Sequence, residues 1–420
     1  MKAAYNMPQE GRRSKKAILF VPFWRMAGHV GNNRVDRFVR WLSGDGYELV
    51  IIRAGTQEAI RNEPWGQEIT VVDRMGLHPE AAPGQARAAS PRKPNRLRRA
   101  LAYWLFNPDP VVVWAKAAAR HPKVIAAMQG ADFILSSSPP ESAHVGAWML
   151  SQLTGVPHIM DMRDGWLDEP LKPLLHSSAL RRWLEQRLEA RIAQDAKAIQ
   201  VTSDVWKVLF DARYPQLAKK VHVLTNGYPN NMPVMRARQP KGPNDEWLLI
   251  HAGRFTGSHL SRKPDLLLEP LLRYLAGQPI KGRVQMYGNL SADEIQDIES
   301  FHSRFNAIGW GLECCGAVPR AQMLEIMQVA DALLLLSASH AALPSKLFEY
   351  IATGRPIGYV TDVGSAAERI LATVEVATDI KSEASIDLIK LSQIHNFCPP
   401  IWYGENELKA IFMDMLSSLH

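Results

Sequence analysis

Leu343-Pro344-Ser345-Lys346-Leu347-Phe348-Glu349-Tyr350-Ile351-Ala352-Thr353-Gly354-Arg355-Pro356-Ile357 is the run from which the architecture can be read. Leu333 to Leu336, just before it, reads as a buried strand, and Ser337 to Leu343 as a loop. Pro344 then stands where a helix can begin. Helical spacing puts Leu347, Tyr350 and Ile351 on a packing face and leaves Ser345, Lys346 and Glu349 near the exposed start. Gly354 stops the helix, and Arg355-Pro356 leads into another apolar run. A strand feeding a helix N-terminus is suited to phosphate, because backbone N–H groups and the helix dipole both favour an anion there. Lys346 adds a point charge, and Glu349 can accept hydrogen bonds from ribose hydroxyls. The same residues also fit an ordinary βαβ unit whose Lys and Glu only face solvent.

Working outward, the strand–helix alternation extends through most of the chain. Ala17–Val21, Glu48–Ile52, Ile69–Val72, Phe133–Leu135, His158–Met160 and Ala198–Val201 are short apolar runs separated by helical stretches. A Pro-, Asn- and Gly-rich break follows at Pro229 to Asn244, after which the alternation restarts with Leu248–Ile250. With 420 residues, two doubly wound α/β domains with parallel sheets are the simplest account. The expected layout is a disordered tail over 1–14, a first domain over 15–228, a linker over 229–243, a second domain over 244–398 and a final helical segment over 399–420.

Composition narrows the function classes. Three cysteines, Cys314, Cys315 and Cys398, have neither metal nor redox spacing, which fits a reducing compartment. The first residues lack the apolar core of a signal peptide, and no apolar run is long enough to span a bilayer. A chain soluble or bound to one membrane face is therefore expected. The net charge of +7 is concentrated: between Pro91 and Lys123 eight Lys and Arg residues face Asp109 alone, interleaved with Tyr103, Trp104, Phe106 and Trp114. Such a mixture suits an anionic membrane surface. A solvated helix packed on its own domain accounts for it equally well, and no nucleic-acid-binding motif accompanies it.

No Gly-x-Gly-x-x-Gly turn, Walker loop, His-Glu-x-x-His or Gly-x-Ser-x-Gly elbow is present. Four loops at strand ends do carry chemical residues, where open α/β sheets bind their ligands. They are Ala27 to Asn33 with Gly28 and Gly31; Ser136 to His144; Asp161-Met162-Arg163-Asp164-Gly165-Trp166; and His251-Ala252-Gly253-Arg254-Phe255, followed by Arg262 and Lys263. Three charges and a Trp after an apolar strand are costly unless paired or used.

Taken in order, these loops resemble glycosyltransferases of the two-Rossmann-domain GT-B fold, and in particular the retaining family 4 group that builds bacterial surface polysaccharides. The resemblance rests on Gly28 to Asn32, Ser138-Pro139-Pro140 with His144, Asp161-x-Arg163-Asp164-x-Trp166, Thr225-Asn226-Gly227-Tyr228, Gly253-Arg254, Gly316-Ala317-Val318 and Pro344-x-Lys346-Leu347-Phe348-Glu349-Tyr350. It implies two Rossmann-like domains facing a cleft, with the last helix returning to the first. It also implies a nucleoside-diphosphate sugar donor bound without a metal or other cofactor. The base would lie near Ala317 and Val318 and the ribose at Glu349. The diphosphate would meet Gly253, Arg254, Lys263 or Arg262, Ser345, Lys346 and Leu347, with Gly28 and Gly31 closing over the donor. His144, Arg163 and Trp166 would line the acceptor side, and Asp161 and Asp164 would join Arg254 and Lys263 in catalysis. The implied acceptor is lipid-linked or a saccharide, and the implied location is cytoplasmic, with docking to the inner membrane face. The family often has an acidic residue eight positions before the ribose-binding Glu; here that position is Ala341. A sugar-nucleotide 2-epimerase, or a degenerate binding subunit, would share the same fold.

Overall fold

A computed structural model describes residues 15–25, 32–74, 106–168, 178–228, 230, 232, 241, 245–255, 263–337, 339–382, 390–391 and 399–419. Gly28, Gly31, Arg262, Cys398 and most of the basic segment at 91–105 lie outside these residues. Two compact units divide the chain. Met1–Leu167, Leu174–Gln200 and Gln216–His222 make up one, and Asp168–Pro173, Val201–Pro215 and Val223–His420 the other.

The first sheet has eight strands among the described residues: β1 (Lys16–Phe20), β2 (Glu48–Gly55), β3 (Ala59–Glu63), β4 (Gly66–Val72), β5 (Phe133–Ser138), β6 (His158–Met162), β7 (Ala198–Val201) and β8 (Val221–Val223), in the order β3-β4-β2-β1-β5-β6-β7-β8. β1 pairs in parallel with both β2 and β5, and β6 runs parallel to β5. The expected parallel sheet is thus present, with one addition. β3 pairs antiparallel to β4 as an edge hairpin, Ala59 opposite Thr70 and Glu63 opposite Gly66. Its Ala-Ile-Arg-Asn-Glu sequence has no apolar run because the edge strand is largely solvated.

The helices of this part are α1 (Asn32–Gly44), α2 (Val112–Ala119), α3 (Pro122–Ala127), α4 (Ser142–Thr154) and α5 (Ala179–Asp195), while α6 (Asp204–Arg213) groups with the second unit. β1 and β5 are buried almost throughout, and Ile18, Phe20, Val50, Ile52, Ile69 and Ile134 meet Trp114, Ala118 and Leu150 in one core.

The second sheet has six strands among the described residues: β9 (Glu246–Ala252), β10 (Lys281–Tyr287), β11 (Trp310–Gly316), β12 (Ala332–Ser337), β13 (Ile357–Thr361) and β14 (Ala377–Asp379). Their order is β11-β10-β9-β12-β13-β14, with every neighbouring pair parallel. Its helices are α7 (Asp265–Ala276), α8 (Ala292–Glu299), α9 (His302–Ala307), α10 (Arg320–Val329), α11 (Ser345–Thr353), α12 (Ala366–Leu371) and α13 (Glu405–Ser417). Leu249, Val284 and Leu334 from the sheet pack against Leu267, Leu268, Leu271 and Phe305. Gly354 ends α11 at φ 63, the left-handed conformation that glycine adopts at least cost.

The final helix groups with the second unit, whereas the sequence resemblance places it with the first. Tyr403, just before it, sets its ring 5.4 Å from Phe348 of α11, and its carbonyl accepts from the Tyr228 N–H at 3.0 Å.

One helix is held by buried charge. Arg181 donates from Nε to Glu185 at 2.6 Å and from Nη2 to the carbonyls of Phe106 at 3.0 Å and Pro108 at 2.7 Å. Glu185 also accepts from Trp166 Nε1 at 2.7 Å, and all three side chains are almost wholly buried. Arg181→Ala strands the Glu185 carboxylate and is expected to cost roughly 3–5 kcal/mol. Arg304→Ala breaks an exposed pair with Glu269 and a surface contact with the Phe301 ring, and should cost far less. Urea denaturation of the two variants side by side checks this.

Candidate functional site

In the second sheet the order reverses direction at β9 and β12, and in open α/β sheets that is where the C-terminal edge opens into a crevice. The β9–β12 ladder ends at His251 opposite Leu334. Beyond that point side chains take over. His251 Nδ1 lies 2.9 Å from the Leu334 carbonyl, which assigns the ring proton to Nδ1, and the ring stacks on Phe255 at 4.7 Å. The Ala252 N–H donates to the Tyr350 hydroxyl at 2.7 Å, tying α11 to the end of β9. Burial pushes the Tyr350 phenol far above its ordinary value, so it stays protonated and can accept this bond at any working pH.

The neighbouring strand ends are laced through the backbone. Gly253 N–H donates to Tyr287, and Gly288 N–H to Gly316, each at 2.9 Å. At Gly288, with φ 155, a Cβ would lie 2.0 Å from the Gly253 carbonyl oxygen, so only glycine permits this approach.

Onto this frame the chain places the expected donor residues. Glu349 is buried and accepts at Oε1 from Arg320 Nε at 2.8 Å and at Oε2 from Lys346 Nζ at 2.7 Å. Lys346 stands in the first turn of α11, where amide N–H groups lack intrahelical acceptors. Arg254 follows β9 and is exposed, as is Lys263 before α7, and neither makes an ion pair among the described residues. Ala317 is exposed and Val318 half-buried beyond the end of β11. Leu347, also in the first turn of α11, is fully buried in the core. Ala341 is also buried, and its carbonyl accepts from Ser203 Oγ at 2.8 Å, so a methyl group fills the place of the often acidic residue.

Arg320 escaped the sequence reading although a signal existed. A cation at a helix start opposes the helix dipole and asks for a carboxylate partner; here that partner is Glu349.

In the first unit, the loops after β5 and β6 come together. Asp161 is wholly buried and clamped by Arg34 of α1, whose Nε lies 3.0 Å from both carboxylate oxygens and whose Nη2 lies 2.6 Å from Oδ1. Ser137 Oγ donates to Oδ2 at 2.7 Å. Arg34 and Ser137 together tie this carboxylate to α1 and to the end of β5. Arg163 spends its donors on the Ser138 and Pro139 carbonyls at 2.7 and 3.0 Å, and Asp164 is half-buried beside it. His144 and Trp166, expected on the acceptor side, are both buried, with their rings stacked at 6.2 Å. Ser136 Oγ bridges His144 Nδ1 and His158 Nε2, each at 2.6 Å. Among the described residues no group of three or more His, Cys, Asp or Glu side chains could hold a metal ion.

Two measurements probe these arrangements. Tyr350→Phe removes the acceptor for a buried N–H and should lower stability by about 1–3 kcal/mol in urea denaturation. Burial, aided by His144, holds the His158 imidazole well below its ordinary 6.5. The unfolded chain thus takes up a proton that the fold refuses, so His158 stabilises fully above pH 6.5 and progressively less as pH falls below it. Melting temperature should decline below pH 6.5, and His158→Gln should flatten that decline.

Residues 31–227 match the family model described as a glycosyl transferase 4-like domain. No curated protein matches the chain by sequence. Among solved structures, Anabaena Alr3699/HepE in complex with UDP and glucose aligns with a TM-score of 0.53 at 14% identity, covering 96% of this chain and 100% of that one. A glycosyltransferase from Rickettsia africae aligns with a TM-score of 0.57 at 12% identity, covering 96% and 98%. The lipopolysaccharide outer core galactosyltransferase WaaB, in its apo form, gives 0.52 at 12%, covering 96% and 99%. At such identities the likeness establishes the fold, and the family match adds the kind of domain. The chain thus has the two-Rossmann-domain fold of these glycosyltransferases, and its residues 31–227 match the glycosyl transferase 4-like domain.

Proposed function

We propose that the chain transfers a sugar, with retention, from a nucleoside-diphosphate sugar to a lipid-linked or saccharide acceptor in polysaccharide biosynthesis. The observation that carries this reading is the start of α11. There Glu349 sits buried between Arg320 and Lys346, on the same sheet edge as the exposed Arg254. Glu349 would accept from the ribose hydroxyls, exchanging one of its cationic partners for them. Lys346, Arg254 and the unpaired amides of the helix start would hold the diphosphate. Ala317 and Val318 would meet the base. The UDP and glucose bound by HepE fit a donor of this class.

Bond cleavage at the anomeric carbon leaves charge on the diphosphate, and fixed cations aimed at that charge lower the barrier most. In this reading no metal is required, since Arg254, Lys263 and Lys346 supply the positive charge. Asp161 acts indirectly, by fixing α1 through Arg34. The basic segment over 91–123 is proposed to meet anionic headgroups at the cytoplasmic membrane face, where lipid-linked acceptors lie. Among the described residues no helix is long and apolar enough to cross a membrane.

Calorimetric titration with UDP, GDP and ADP tests the donor site. One of them should bind, and Glu349→Ala should weaken it at least about tenfold. Arg254→Ala should reduce turnover by roughly 10²-fold or more. Silence with every nucleotide, or binding indifferent to Glu349, overturns the reading. Appearance of an epimerised free sugar nucleotide in the absence of acceptor would assign the chain to the 2-epimerases instead.

A further inference from the structure

Helix α5 is built inside out over its first half. Its inward stripe is Arg181, Glu185 and Glu189, all essentially without solvent exposure. Its outward stripe is Leu180, Trp183 and Leu184, exposed at 56%, 48% and 36%, continued at helical spacing by exposed Arg187 and Arg191. The outward orientation is enforced. Turning the helix to bury Leu180 and Trp183 would drag Arg181 and Glu185 out of their bonds with Trp166 and with the carbonyls of Phe106 and Pro108. Buried ion pairs of this kind add little net stability over apolar packing but select one arrangement strongly. The arrangement selected here is one that leaves three large apolar side chains in water.

We infer that this face of α5 is a docking surface for an anionic lipid bilayer. Three observations choose lipid over other occupants. The exposed charge next to the apolar residues is cationic: Arg187 and Arg191 are exposed, Glu185 and Glu189 are turned inside, and the exposed acid of the helix, Asp195, stands at its far end and accepts from Trp148 Nε1. Arg187 lies over the Trp183 ring, 4.3 Å from its centroid, so a cation and an indole are presented together, as headgroup level favours. The exposed apolar residues form a single row along one helix, an arrangement suited to shallow insertion in an interface. The surface is contained in the first unit, does not use the basic segment over 91–123 and does not depend on the catalytic reading.

Flotation of the full chain with vesicles tests it, using phosphatidylcholine alone or with a third phosphatidylglycerol. The chain should float with the anionic vesicles and much less with the neutral ones. Trp183→Glu with Leu184→Glu should lower the bound fraction about tenfold or more, with circular dichroism unchanged because both positions are exposed. Arg187→Glu with Arg191→Glu should also lower it, and added salt should weaken the parent chain's binding. Several results would overturn the proposal: no flotation of the parent chain, equal flotation with both vesicle types, or undiminished flotation of both variants. If only removal of Arg96, Arg98 and Arg99 abolished flotation, the basic segment would be the membrane contact and α5 would not. If the Trp183 and Leu184 changes altered molecular mass in solution and left flotation intact, the face would join protein to protein.

Discussion

The parting of β9 and β12 is the constraint on which the second unit turns. Two parallel strands that separate leave N–H and C=O groups without their ladder partners, and a buried backbone polar group left unpaired is costly. The chain meets each with a side chain: the His251 ring reaches the Leu334 carbonyl, and the Tyr350 hydroxyl receives the Ala252 N–H. The crevice stays open because its walls are satisfied without being zipped shut. A hydrophobic residue at either position would close the gap or leave an orphan. The location of the site thus follows from an accounting of hydrogen bonds along one strand edge.

The sequence revealed the elements whose burial is two-sided. β1, β5, β9 and β12 are continuous apolar runs because helices or loops cover both faces, and they were legible as such. β11 escaped because its exposure alternates along the strand, and its Cys314-Cys315-Gly316 end reads as a turn. β3 escaped because an edge hairpin needs little apolar content. Among site residues, Glu349 and Lys346 were found from their place in a helix's first turns. Arg34 and Arg320 were not, since each acts on a carboxylate far away in sequence, and single-sequence spacing carries no long-range pairing. Asp161, expected from its place at a strand end, has such a pairing with Arg34. An apolar strand ending in charge signals a costly arrangement, but not whether the cost is met by a ligand or by an internal partner.

The two units solve similar problems in different ways. In the first, charge is taken inside and neutralised: Arg34 with Asp161, Arg181 with Glu185, and Ser136 between two histidines. In the second, exposed Arg254 and Arg320 and half-buried Lys346 gather at the end of the sheet, the last two around the buried Glu349. Internal neutralisation gives definite geometry to loops, while rim charge remains available for exchange with solvent or ligand.

Glu349 and Tyr350 are successive residues of one helix, and this adjacency has a thermodynamic consequence. The hydroxyl that docks α11 onto β9 and the carboxylate proposed to recognise ribose move as one body. Any population in which the helix is detached from the strand is also a population without a ribose acceptor in place. Apparent donor affinity is then the intrinsic affinity scaled by the docked fraction. Conversely, a bound nucleotide would draw the helix onto the sheet and raise the local opening free energy of a segment far larger than its own footprint.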